Sequence, residues 1–206
     1  MRVFTICYRL VFGLLGLAAV TVGYTDRVID AHVNIVNYFS FFTILSNIGA
    51  FAVLLSGAWP SALTRHPAWE YVRGAVTVYM VITGIVYNLL LAQYEVDVPA
   101  WVNDLEHRIL PIAMMMDWLL IPPRAGLIKK AKAMWWLVFP VIYLVYSEVR
   151  GARVHWYPYP FLDPHPHGVV RVVLYAVGIA AAFVLVSLAV AWAGEVLARR
   201  RAQATL

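Results

Sequence analysis

The chain is 206 residues long, 63% hydrophobic and only 13% charged, with a mean hydropathy of +0.75. A water-soluble domain carries about twice that charged share, and a protein of this size cannot hide so much apolar side chain from water, so lipid must cover it. The single cysteine, Cys7, excludes a disulfide framework and any multi-cysteine metal cluster, and the net charge of +5 is scattered between apolar runs rather than gathered into a patch, so no nucleic-acid partner is expected.

Six apolar runs are long enough to cross a bilayer as helix, which takes about 20 residues. In chain order they are Val3–Gly23, Ile35–Leu55, Ala75–Gln93, Asn103–Ile121, Ala133–Ser147 and Val170–Leu197. Turn signals separate them, among them Tyr24-Thr25-Asp26, Gly57-Ala58-Trp59-Pro60, Pro122-Pro123-Arg124-Ala125-Gly126 and the Pro-rich run Tyr157–His167. Backbone polar groups go unpaired in lipid unless the segment is a helix or a closed barrel, and the alternation is too poor for a barrel. The expected fold class is therefore all-α: a polytopic membrane protein with one six-helix domain over residues 1–206. Arg2 before an apolar run resembles a signal peptide, but Gly16–Tyr24 lacks a small-x-small cleavage site and more membrane follows.

With six spans, both termini share one side with the second and fourth loops. That side carries Arg2, Arg9, Arg65, Arg73, Arg124, Lys129, Lys130, Lys132, Arg199, Arg200 and Arg201. The other carries Arg27, Arg108, Arg150, Arg153 and Arg171, together with Asp26, Asp30, Glu95, Asp97, Asp104, Glu106, Glu148 and Asp163. Basic residues stay inside, so both termini are expected to be cytoplasmic in a multi-pass protein of the cell membrane.

An ionisable group inside a span is expensive enough to need a partner or a task. Arg9 and Asp117 lie at matching depths near the inner ends of the first and fourth spans, which predicts an ion pair, with Glu195 as the alternative acid. A structural pair that fixes register is favoured over a proton path, because no relay of further ionisable groups continues at mid-membrane depth.

The second span carries Asn37, Ser40, Thr43 and Asn47 at spacings of three, three and four, one face of a helix. Such residues are common interhelical glue, and four on one stripe suggest a lined polar cavity. His107 lies near the outer end of the fourth span, and Asn103 or Asp104, four and three residues earlier, can orient its ring. At 1.5 Å per residue, Ser40 and His107 both lie about 6–8 Å below the outer boundary, with Thr43 one turn deeper. A hydroxyl and an imidazole at one depth suggest a nucleophile and its base.

The loop His155–His167 is stiffened by alternate prolines and rich in aromatics, which suits a lid over the mouth of a bundle. His155, Asp163, His165 and His167 invite a metal, but their spacing matches no zinc pattern, and no metal or other cofactor is expected. Soluble-enzyme signatures such as the Gly-x-Ser-x-Gly elbow are missing.

The segment Asn37-Tyr38-Phe39-Ser40-Phe41-Phe42-Thr43-Ile44-Leu45-Ser46-Asn47 resembles the second-helix motif of the bacterial "Pr-six-Pr" membrane proteins. So do Gly74-Ala75-Val76 through Val86-Tyr87-Asn88-Leu89-Leu90, His107-Arg108-Ile109-Leu110-Pro111 with Asp117-Trp118, and the most specific stretch, Trp156-Tyr157-Pro158-Tyr159-Pro160-Phe161-Leu162-Asp163. That group resembles, more distantly, the eukaryotic androgen-induced and androgen-dependent TFPI-regulating protein family. The resemblance implies an intramembrane hydrolase of lipid esters, which in those relatives are fatty acid esters of hydroxy fatty acids, working with a threonine nucleophile, whose matched position here holds serine, and a histidine. The nucleophile position falls on Ser40, with Thr43 the competitor one turn away, and the histidine falls on His107. Membrane lipids and a small lipid ester are the expected partners. The candidate substrate-contacting residues are Asn37, Asn47, Tyr87, Asn88, Asp104, Tyr157, Tyr159 and Asp163, with Asn37, Asn47 or Tyr87 as oxyanion donors. The rival readings are a lipid- or small-molecule-binding protein or transporter using the same cavity, and a purely structural bundle with no polar cavity.

Overall fold

The computed structural model describes residues 2–94, 98–166 and 168–204. Glu95 and Asp97, counted above on the outer side, and His167 of the loop lie outside the described residues, as does the side chain of Arg2. The described residues are all-α, 82% of them helical, with no strand. Its helices are α1 (Arg2–Tyr24), α2 (Ile35–Phe39), α3 (Phe42–Gly57), α4 (Ala62–Arg65), α5 (Pro67–Val86), α6 (Ala100–Asp104), α7 (Leu110–Leu120), α8 (Lys130–Ala133), α9 (Val138–Val154) and α10 (Val169–Gln203). Wider π turns extend α1 over Thr25–Asp30 and α5 over Tyr87–Leu91, and a third, Leu105–Ile109, joins α6 to α7.

Among the described residues, three helices are long and apolar enough to cross a membrane: Val3–Asp30, Pro67–Leu91 and Val169–Gln203. The second apolar run does not form one helix. It breaks after Ser40, where Phe41 is extended (φ −78°, ψ 127°) before α3 begins. Burial drives the break. The Phe41 ring packs edge-on against Trp156 and Tyr159, while the Phe42 ring turns into a cluster with Tyr79, Tyr143 and Phe183. Alone, α3 reaches about 24 Å at 1.5 Å per residue, short of a hydrocarbon core of about 30 Å. The third run starts earlier than expected: Pro67 occupies the first turn and the His66 ring caps it, accepting from Ala68 N–H at 3.2 Å. Arg73, read from sequence as a loop residue, is therefore inside α5.

The core is organised around α5, which packs on α3, α7 and α10. Val78, Ile82, Trp118 and Phe183 form one buried cluster with Phe42 and Trp136, and Met80, Leu54, Leu110 and Met114 form a second. On α10, by contrast, Leu174, Val177, Leu185 and Trp192 are more than half exposed. Apolar surface on that scale is a face for lipid or a partner, not for water.

The expected Arg9–Asp117 pair forms, with Arg9 Nε 2.6 Å from Asp117 Oδ1 and a second contact at 3.1 Å. Arg9 also donates to Gly57 O at 2.6 Å. The sequence reading missed that Arg73 joins the same carboxylate, 3.0 Å from Oδ2, while its other nitrogens bond Glu70 and Ile121 O and its guanidinium lies over Trp118. Glu195, the alternative acid, pairs with Arg199 and accepts from Gly126 N–H.

The loop that follows α9 packs back on it through Trp156 and Tyr157. A Cβ at Gly151 would lie 2.1 Å from the Tyr157 ring, so Gly151→Ala must lift that ring. The expected cost is about 1–3 kcal/mol, read as a lowered unfolding midpoint in detergent. Gly178→Ala, whose Cβ meets nothing within 4 Å, is expected to be neutral or stabilising.

Candidate functional site

The break at Phe41 decides where the hydroxyls go. Ser40 ends α2, and its Oγ donates back to Val36 O at 2.6 Å and meets Tyr146 Oη at 2.8 Å, on the side of α9. The expected Ser40–His107 pair therefore does not form. Thr43, second residue of the new helix α3, takes the place: its Oγ1 lies 3.3 Å from His107 Nε2. Both residues are buried. The depth count assumed one continuous helix, and the kink shifts the register by the turn that separates the two hydroxyls.

Position also explains the third member. An early helical residue has a backbone N–H with no partner inside its own helix. No side chain at Phe41 caps α3, and Thr43 N–H instead donates to Tyr159 Oη at 3.1 Å. The same phenol lies 3.3 Å from Thr43 Oγ1. Tyr159 is held by Phe161, whose ring stacks at 5.1 Å, and by the edge of Phe41. Burial raises the pKa of Tyr159 above its ordinary value, so the phenol stays protonated.

His107 is oriented by backbone rather than by Asp104. Its Nδ1 lies 3.0 Å from Asn103 O. A carbonyl only accepts, so Nδ1 carries the proton and Nε2 faces Thr43 as an acceptor. The π turn makes this possible. Pro111 has no N–H to return to His107 O, and Leu110 N–H bonds back to Leu105 O instead, widening the helix so that Glu106 and His107 are both buried. Gly84 of α5 lets this turn approach: a Cβ there would lie 3.3 Å from His107 O and 3.1 Å from Pro111 Cβ. The facing π turn lays Tyr87 on the imidazole, ring centroids 4.1 Å apart, and Asn103 Nδ2 donates to Tyr87 Oη at 2.6 Å.

Two cavities flank this point. One, about 170 Å³, is apolar and runs among Ile82, Val86, Leu144, Phe161 and Phe183. The other, about 210 Å³, is edged by Arg27, Tyr38, Glu106 and His107. Thr43, Leu91 and Tyr159 line both.

Of the sequence candidates, Thr43, His107, Tyr87 and Tyr159 are brought together. Asn47 stands behind them, its amide donating to Thr43 O and Glu106 O and so clamping α3 to the π turn. The others point elsewhere. Asn37 accepts from Arg150 at 2.5 Å, since α2 ends before the kink. Exposed Asn88 bonds Gly84 O and Arg108. Asp104 pairs with Arg108, one turn on. Tyr157 covers Gly151, and Asp163 accepts from His165 N–H and ring. Arg27 and Glu106 were given no role from sequence, although Glu106, an acid beside the histidine in an apolar run, already met the rule that such groups need a reason. No family model, curated protein or solved structure matches this chain.

Proposed function

We propose that the protein is an intramembrane hydrolase of lipid esters, with Thr43 as nucleophile and His107 as general base. The carrying observation is a buried threonine hydroxyl, 3.3 Å from the unprotonated nitrogen of an oriented histidine, in the wall shared by an apolar and a polar cavity. An acyl chain fits the first cavity and the alcohol portion the second, which puts the ester carbonyl at Thr43. The motif resemblance to membrane lipid-ester hydrolases supports the same reading.

In the first half-reaction Thr43 Oγ1 attacks the carbonyl carbon and its proton passes to His107 Nε2. The Tyr159 phenol donates to the developing oxyanion, and the positive N-terminal end of α3 favours that charge. Collapse breaks the ester bond, and the departing alkoxide takes the proton from His107. Water, deprotonated by the same nitrogen, then attacks the acyl-threonine and releases the fatty acid and free Thr43.

Purified protein in detergent is expected to release fatty acid from lipid esters. Tyr159→Phe is expected to lower turnover by about 100–1,000-fold, the range for one oxyanion donor, and to lower the unfolding midpoint, since leaving Thr43 N–H without its partner costs about 1–3 kcal/mol. An undiminished rate would remove Tyr159 from the mechanism.

The proposal includes six membrane passes with both termini cytoplasmic. α2 with α3, the α6–α7 segment and α9 then cross alongside the three long helices. In a Cys7→Ser background, cysteines introduced at Thr64 and Ala204 should react with an impermeant maleimide only after the inner face is opened. One at His165 should react in intact cells. Labelling of Thr64 and His165 from one side would refute this topology.

A further inference from the structure

Glu106 is only 4% exposed, lines the polar cavity, and its Oε1 has no hydrogen-bond partner. No ion pair reaches its carboxylate among the described residues. A buried carboxylate in that condition is costly unless something bound there completes it. Arg27 faces the same cavity, and its guanidinium lies over the Phe41 ring, 5.4 Å from the centroid, without a hydrogen-bond acceptor among the described residues. The two side chains share one cleft with no hydrogen bond or ion pair between them. The rings of Tyr38 and Tyr87 form part of its wall.

We infer that the polar cavity is a headgroup site for a zwitterionic lipid carrying a primary ammonium next to a phosphate, with the ammonium on Glu106 and the phosphate on Arg27. Arginine offers a planar fork of donors that suits phosphate oxygens. The orphaned carboxylate oxygen needs a donor, and a primary ammonium supplies three N–H groups where a trimethylammonium supplies none. Aromatic faces alone would suit either cation, so the unpartnered oxygen is the discriminating feature. A purely anionic headgroup satisfies Arg27 and leaves Glu106 both unpaired and facing a like charge.

This assignment rests on the lipid-ester reading for the placement of the acyl chain at Thr43, and the test separates the two. Binding is measured by calorimetry on the Thr43→Ala protein in detergent, which has lost the proposed nucleophile. The probes are dihexanoyl phosphoethanolamine, phosphocholine and phosphoglycerol lipids, and free phosphoethanolamine. The ethanolamine lipid is expected to bind at least tenfold tighter than the choline or glycerol lipids. Glu106→Gln should abolish that preference while leaving choline-lipid binding in place, which also reports that the variant is folded. Arg27→Gln should weaken all three lipids together. Equal affinity for the three headgroups, or a preference that survives Glu106→Gln, overturns the assignment. Free phosphoethanolamine binding as tightly as the lipid overturns a lipid as its source. Headgroup preference in a protein without turnover sinks only the hydrolase, and turnover without headgroup preference sinks only this inference.

Discussion

Thr43→Ala is expected to lower lipid-ester turnover by at least about a thousandfold, while Ser40→Ala leaves most of it intact. The two hydroxyls are three residues apart, and a sequence motif alone favours Ser40. Geometry separates them: the Ser40 hydroxyl is committed to Val36 O and Tyr146, and the Thr43 hydroxyl faces His107 and Tyr159 in the wall that two cavities share. His107→Gln is expected to cost about as much as losing the nucleophile, since it keeps a polar group at Thr43 but removes the base. The double variant should be no worse than either single one, because nucleophile and base act as a unit. Initial rates on one ester at saturating substrate check all four proteins. A Ser40→Ala protein as inactive as Thr43→Ala, with both folded, would move the nucleophile back to the end of α2.

Asp117→Asn is expected to be among the most damaging conservative changes in the molecule. Asp117 is 1% exposed and its carboxylate holds Arg9 and Arg73 together. Neutralising it leaves two buried cations, of which Arg73 keeps Glu70 and Arg9 keeps only the Gly57 carbonyl. Breaking a buried pair from one side costs about 3–5 kcal/mol, read as a lowered midpoint in thermal unfolding followed by circular dichroism in detergent. Adding Arg9→Met should recover part of that loss, because it removes the orphaned charge instead of leaving it buried. No recovery would mean that Arg9 acts through packing rather than charge.

How much was legible beforehand follows from what each feature depends on. Composition pointed to an apolar environment, and the length and poor alternation of the apolar runs pointed to helices, because backbone groups in lipid have few ways to be paired. Depth counting found Arg9 with Asp117, since both lie on regular helix near the same end. The same counting failed for Ser40 because its assumption of a continuous helix does not hold: local spacing favours one stripe, but Phe41 and Phe42 are buried in different aromatic clusters and tertiary packing breaks the helix between them. The π turns carry no pattern in hydrophobic periodicity, so the stacking of Tyr87 on His107 was out of reach, whereas Glu106, an acid inside an apolar run, was a signal left unused. Pro111, four residues after His107, was the one local sign that the ladder there must rearrange. Arg73 was misplaced because the helix boundary was drawn at the first apolar residue, whereas Pro67 and the His66 cap begin α5 earlier.

The most direct test of the central claim is the site of covalent capture by an alkyl fluorophosphonate, mapped by mass spectrometry of the purified protein. The adduct is expected on Thr43, with labelling lost in His107→Gln and retained in Ser40→Ala. An adduct on Ser40, or labelling of Thr43 at an unchanged rate without His107, contradicts it.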